Sequence, residues 1–409
     1  TAKAERIIIG ETGSVTGTIG GIATGSAGKI YIRVDGTVEG GFSAIALSTD
    51  SANVTNNGTI EGGTIAALTM SNGSLTLRNA GQIISSGLST INIGGFATES
   101  TIINSGSIEH VGSGNAIIVT HGTFSLANTG IVIAEDSLPI FLDGTSGAGK
   151  GTIVNDGAIF GDVDAIFARG AASDDSFTIV NTGDIIGNIN LAESARDDVV
   201  NTSHGLVKGF INTGDGDDRI GLVAAIVTGS VFGGDGDDVY TVSREDTVIV
   251  ELLDEGTDTI RATGNISITL PDNIENITLI GAANTQAIGN ATANILTGNA
   301  GSNVIDGAAG ADTIRGAKGR DVLTGGADVD TFIFRTGDGR DVITDFDTGL
   351  STHDIVDLSG LRTKLDFADL TAGLARDVDG DVVINAGKGD RIVLDGLTVV
   401  ELRAELFFL

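Results

Sequence analysis

From Val34 to about residue 210, apolar positions come in short runs punctuated by Asn or Asp and Gly. The recurring piece is an apolar residue, Asn or Asp, Gly, and an apolar residue two places on. It reads VDGTV (34–38), NNGTI (56–60), NAGQI (79–83), NSGSI (104–108), NTGIV (128–132), NDGAI (155–159) and NTGDI (181–185). Its glycines stand at 36, 58, 81, 106, 130, 157 and 183, in steps of 22, 23, 25, 24, 27 and 26 residues. A second apolar run, such as AIAL at 44–47 or AIIV at 116–119, lies between most of them. Steps of this size mark one supersecondary unit repeated. Short Ile-, Val- and Thr-rich strands with Gly, Asn and Ser corners predict the coils of a right-handed parallel β-helix over residues 1–210. A sandwich of hairpins is the rival, but hairpins repeat about every 8–12 residues and leave the longer step unexplained. Open solenoid ends invite further pairing, so residues 1–30, with Arg6-Ile7-Ile8-Ile9, are the candidate cap or contact.

A tighter period takes over at Gly289, where five nine-residue units follow without a gap: GNATANILT, GNAGSNVID, GAAGADTIR, GAKGRDVLT and GGADVDTFI, covering 289–333. Gly opens each unit, the sixth place reads Asn294, Asn303, Asp312, Asp321, Asp330, and the eighth is always apolar. Each unit is half turn and half strand, with an oxygen donor left over in the turn. These units resemble the glycine- and aspartate-rich nonapeptides of the RTX (repeats-in-toxin) family. Two further copies, TGDGDDRIG at 213–221 and GGDGDDVYT at 233–241, bring Asp215, Asp217, Asp218, Asp235, Asp237 and Asp238. The resemblance implies a parallel β-roll that binds several calcium ions, with two units to a coil. Asp312 is then expected over Asp330, and Asn303 over Asp321. Calcium takes about 6–8 oxygens, which carboxylates and backbone carbonyls can supply. Asp-Gly is also ordinary turn chemistry, but five units in unbroken register favour the metal. Asn294 and Asn303 bring no charge and Asp328 replaces a fourth-place glycine, so weaker sites are expected there.

The roll is expected to span residues 211–361, with residues 241–288 adding solenoid strands between the nonapeptide blocks. The segments at 332–349 and 353–361 are similar to the closing segment of serralysin-type RTX proteins, which implies Asp338, Asp341, Asp345 and Asp357 as further calcium ligands. Residues 362–409 complete the chain with a two-strand hairpin (380–396) and a Thr398–Glu401 capping box ahead of a short terminal helix. The ending Glu-Leu-Phe-Phe-Leu resembles a type I secretion signal, although a buried terminal strand reads the same way.

Composition narrows the function. The chain has 409 residues, no Cys, no Trp and 62 Gly, so disulfides and cysteine-ligated metals are excluded. Its formal charge of −31 leaves no basic stripe for nucleic acid. No apolar run approaches the roughly 18–20 residues of a membrane helix, and no N-terminal signal peptide opens the chain. The start at Thr1 fits either a removed Met or a trimmed chain. His110, His121 and His204 are expected as solvated corner residues, no His-Glu-x-x-His motif exists, and GTSGAGKGT at 144–152 lacks the Ser or Thr of a phosphate-binding loop. The expectation is therefore a non-enzymatic, extracellular or cell-surface protein exported by a type I system. It would be a calcium-stabilised solenoid that associates with itself in a surface layer (S-layer), filament or biofilm matrix. The alternative is a carbohydrate-active β-helix, lyase- or epimerase-like, or an adhesin for cell-surface polysaccharide. A groove with clustered aromatic and basic residues would favour that alternative.

Overall fold

The apolar residue that follows each Asn-x-Gly corner stacks on its counterpart in the next coil. In the computed structural model, Val38, Ile60, Ile83, Ile108, Val132, Ile159, Ile185 and Val207 form one column, paired in parallel from coil to coil. All eight are buried. Each such side chain contributes about 1.5–3 kcal/mol of burial, which is why the column can hold short strands together. The structure describes residues 5–17, 20–24, 28–143, 150–169, 176–350, 352–361 and 366–409. Most of the Gly-rich stretch 144–152 (144–149) lies outside them. Strand makes up 56% of the chain and helix 4%, so the protein is all-β.

The chain divides into two compact units, Thr1–Gly236 with Thr247–Ile249, and Asp237–Asp246 with Val250–Leu409. The first unit is a parallel solenoid with the long step read from sequence. Its pairings run from each coil to the next rather than between chain neighbours, which rules out hairpins. Strand Glu5–Ile9, carrying Arg6 to Ile9, pairs in parallel with Lys29–Val34 and so belongs to the solenoid itself. The corner asparagines form a buried ladder in which the Nδ2 of Asn56, Asn79, Asn104, Asn128 and Asn155 donates to the Oδ1 of the next, at 2.7–2.8 Å, ending on Asn181. The corner glycines are sterically required. A Cβ on Gly58 would collide with the carbonyl of Gly36, and the same holds at Gly81 against Gly58 and at Gly106 against Gly81.

The reading of His110 needs correction. His110 is not a solvated corner residue but a buried one, because the alternation of strand Ser107–His110 points it inward. Its Nδ1 lies 3.3 Å from the Thr90 hydroxyl, and burial lowers its pKa.

In the second unit, alternate nonapeptides go to opposite sheets. Ile295–Thr297, Thr313–Arg315 and Thr331–Arg335 stack in one, with Leu296 over Ile314 over Phe332. Val304–Asp306 and Val322–Thr324 stack in the other, with Ile305 over Leu323. Partners are 18 residues apart, as two nine-residue units per coil require. Residues between the nonapeptide blocks join both sheets through Thr259–Thr263, Asn276–Ile280, Ile268–Thr269 and Gln286–Ile288. The hairpin Asp381–Gly387 and Asp390–Leu394 forms as expected, extended by an antiparallel third strand, Ala375–Val378. The expected terminal helix is two short 3-10 turns, Val399–Glu401, where the Glu401 carboxylate accepts from the Thr398 amide at 2.7 Å, and Ala404–Leu406. Phe407–Phe408 is a strand paired in parallel with Ile355–Gly360.

Candidate metal centre

The site is built from one local rule: an acidic or amide residue stands two places before a buried apolar residue that anchors the strand. Because side chains alternate along a strand, the pair points the same way, and the first member lies over the turn. Asp312 precedes Ile314, Asp321 precedes Leu323 and Asp330 precedes Phe332, and all six are buried. The first-place glycine makes this possible. A Cβ on Gly307 would strike Asp312 Oδ2, one on Gly316 Asp321 Oδ2, and one on Gly325 Asp330 Oδ2.

Each sixth-place carboxylate accepts the backbone amide of its counterpart in the preceding coil. Asn294 N–H donates to Asp312 Oδ1 (2.7 Å), Asp312 N–H to Asp330 Oδ1 (2.9 Å) and Asp330 N–H to Asp354 Oδ1 (2.9 Å). On the other side Asn303 N–H donates to Asp321 Oδ1 (2.7 Å) and Asp321 N–H to Asp341 Oδ1 (3.0 Å). One oxygen of each pair is thereby fixed. The second oxygens of Asp312, Asp321 and Asp330 are buried without a hydrogen-bond partner. Burial, opposed by the amide bonds and reinforced by neighbouring carboxylates, raises the pKa of Asp312 to about 7 and of Asp330 to about 6. Burial likewise raises Asp321 to about 6 and Asp341 to about 8.

A second cluster lies upstream in the same unit. Asp238, Glu251 and Asp258 are all buried, and a carboxylate oxygen from each lies within 4.8 Å of the others. Asp238 N–H donates to Asp258 Oδ1 at 2.8 Å, while Asp258 Oδ2 has no hydrogen-bond partner and burial raises that residue to about 6. Three buried carboxylates this close cannot all be charged without a cation. Oxygen-only donors with no nearby thiolate or imidazole suit a hard ion such as calcium. Glu251, Asp258, Glu275, Asp354 and Asp198 were not picked out from the sequence. All but Glu251 obey the spacing rule, with Asp258 before Ile260, Glu275 before Ile277, Asp354 before Val356 and Asp198 before Val200, so that spacing was the available signal.

The other expected ligands differ in placement. Asp218, in the first unit, is buried; its Oδ1 accepts the Asp198 amide at 2.6 Å and burial raises it to about 8. Asp215, Asp217, Asp235 and Asp237 are exposed on the turns. The side-chain oxygens of Asn294 and Asn303 are occupied, accepting the amides of Asn290 (2.8 Å) and Asn299 (2.9 Å). Asp338 is gripped by Arg315 at 2.7 and 3.2 Å. Asp345 is exposed and accepts from the Gly325 and Gly326 amides at 2.9 and 2.8 Å, while Asp357 accepts from the Ser359 amide at 2.9 Å.

No curated protein matches the chain by sequence. A crystal structure of the extracellular lipase LipA from Serratia marcescens aligns at 14% identity over 59% of this chain, with a TM-score of 0.25. The aligned part covers 41% of the lipase chain, and a likeness this loose carries no argument. The family model described as the RTX calcium-binding nonapeptide repeat (4 copies) matches over three overlapping ranges, residues 281–314, 288–323 and 306–343. That match falls on the glycine-opened, aspartate-laddered coils, and RTX repeats are typical of secreted proteins exported by type I systems. The protein is thus an all-β solenoid whose residues 281–343 are RTX calcium-binding repeats.

Proposed function

We propose that this protein is a non-enzymatic, calcium-stabilised structural component outside the cell, one that associates with itself in a surface layer, filament or matrix. The observation that carries the reading is an apolar stripe on one corner of three successive coils. Phe42, Ile65 and Leu88 are 47%, 38% and 68% exposed, and the backbone amides of Ile65 and Leu88 donate to the carbonyls of Phe42 and Ile65. Apolar residues stacked in register give a patch that a second copy can cover. A charge of −31 opposes that contact, since self-repulsion of this size keeps proteins apart. Each calcium cancels two charges, so filling the roll lowers the barrier while it folds the site. Extracellular modules bind at about 10⁻⁴–10⁻³ M, which leaves such sites empty in cytosol and filled outside.

The test is light scattering with negative-stain microscopy across a calcium titration, on the natural chain and on Phe42→Ser/Ile65→Ser/Leu88→Ser. Ordered assemblies should appear at millimolar calcium, dissolve in chelator and be lost in the variant. A natural chain that is fully folded yet monomeric at millimolar calcium defeats the proposal.

A further inference from the structure

Arg6, Tyr31 and Asn53 lie side by side on the strands Glu5–Ile9, Lys29–Val34 and Ser51–Asn56, in direct register across three coils. Arg33 and Thr55 follow two places along, hence on the same outward face. Together with Ile7 these residues line a groove of about 570 Å³. Tyr31 is one of only two tyrosines in the chain, and 43% of it is exposed here. Five of the nine Lys and Arg residues before position 211 fall within the first 80, among them both groove arginines.

The groove is organised in advance of any ligand. Asn57 Nδ2 donates to Asp35 Oδ1 at 2.7 Å, and Asp35 receives the Nε of Arg33 at 3.0 and 2.7 Å. That clamp sets the plane of the Arg33 guanidinium through its inner nitrogen. No hydrogen bond engages its two terminal amino groups among the described residues. A guanidinium held this way presents a fork that matches a carboxylate or sulfate. A Tyr ring beside it offers an apolar face for the C–H side of a sugar, and Asn53 and Thr55 offer hydrogen bonds to hydroxyl groups.

From this arrangement we infer that the groove binds an acidic saccharide, with the sugar ring on Tyr31 and its carboxylate or sulfate between Arg6 and Arg33. Strands of successive coils are about 4.7–4.9 Å apart, close to the advance of one ring in an extended polysaccharide, so neighbouring coils can meet neighbouring sugars. The chain's net negative charge does not forbid this. At physiological salt, charges beyond about 8 Å are largely screened, so what acts in contact is Arg6 together with the terminal amino groups of Arg33, part of whose charge its ion pair with Asp35 offsets. This inference is independent of self-association, and either can fail alone.

The experiment is fluorescence anisotropy of the full chain in calcium buffer with four labelled probes: a short oligouronate, a sulfated dextran, neutral dextran and a single-stranded oligonucleotide. The oligouronate, the sulfated dextran or both should bind, which identifies the acidic group, and neutral dextran and the oligonucleotide should not. Arg6→Gln/Arg33→Gln and Tyr31→Ala should each weaken binding by about tenfold or more, while Tyr31→Phe, which keeps the ring, should stay near the natural value. Circular dichroism confirms that the variants fold. Binding that is unchanged in folded variants, equal for neutral dextran or the oligonucleotide, or absent up to millimolar probe overturns the inference.

Discussion

The roll's buried carboxylates make protons and calcium interchangeable guests, and the perturbation that reveals this is pH in the presence of chelator. Asp312 is raised from 3.8 to about 7, which at about 1.4 kcal/mol per pH unit corresponds to about 4 kcal/mol. The same conversion gives about 3 kcal/mol each for Asp321 and Asp330 and about 6 kcal/mol for Asp341. These residues sit in two short columns and share neighbours, so their contributions overlap. Even half of the total is comparable with the roughly 5–15 kcal/mol net stability of a whole domain. A carboxyl group with a raised folded pKa keeps its proton in the native state while the unfolded chain releases it. Metal-free stability is therefore retained below the ordinary aspartate range and lost as pH climbs through 6 to 8, the window set by these four residues. Circular dichroism in chelator should show the roll's β signal at about pH 5 and its loss by about pH 8, with millimolar calcium restoring it at the higher value. Chelated protein with the same β content at both ends of that range would refute the reasoning.

Two pairs of substitutions probe the scaffolds separately. Gly307→Ala drives a methyl group into Asp312 Oδ2 and to 2.5 Å from the Gly325 carbonyl, so the calcium midpoint should rise by about 10–100-fold. Gly10→Ala, with nothing within 4 Å of its Cβ, should leave that titration unchanged; equal midpoints in the two variants would show that the glycine contact is unimportant. Asn104→Leu removes the ladder bonds to Asn79 and Asn128 and leaves the buried Asn128 Oδ1 without its donor, for an expected loss of about 2–4 kcal/mol in urea unfolding. Asn56→Leu, at the end of the ladder where Oδ1 already lacks a partner, should cost less, and an equal or larger loss there would contradict the ladder account.

The parts of this fold most legible in the sequence are those where one residue type meets itself in the next coil. Gly58 and Gly81 could be read because stacking leaves no room for a side chain, and the 18-residue spacing of Asp312 and Asp330 because the nonapeptide period is rigid. Asp258 and Asp354 escaped notice because each turn keeps only one of the repeat's two glycines, Gly256 in the fourth place before Asp258 and Gly349 in the first place before Asp354, beside the aspartate and the apolar residue two places on. Glu251 has no period at all and reaches its cluster from a non-strand segment, which only three-dimensional placement reveals. His110 was misjudged because a strand of four residues is too short to declare which of its faces is inward. The chain's end is the converse case. The same apolar letters that resemble an export tail serve as a strand in the fold, with Phe407 paired opposite Val356.

The asparagine ladder behaves as a one-dimensional polymer with encoded stops. Each amide is both donor to the next rung and acceptor from the last, so nothing in the geometry of an internal rung limits the number of rungs. Length is instead written in two residues. Val34 stands opposite Asn56 and carries no amide, and Thr202 stands opposite Asn181 with a hydroxyl too short to continue the chain of amides. Whole coils can therefore be gained or lost between those two stops with the repeating pattern of the ladder kept, whereas a fraction of a coil cannot. The family of lengths open to this solenoid is thus quantised, and its smallest step is one circuit of the chain.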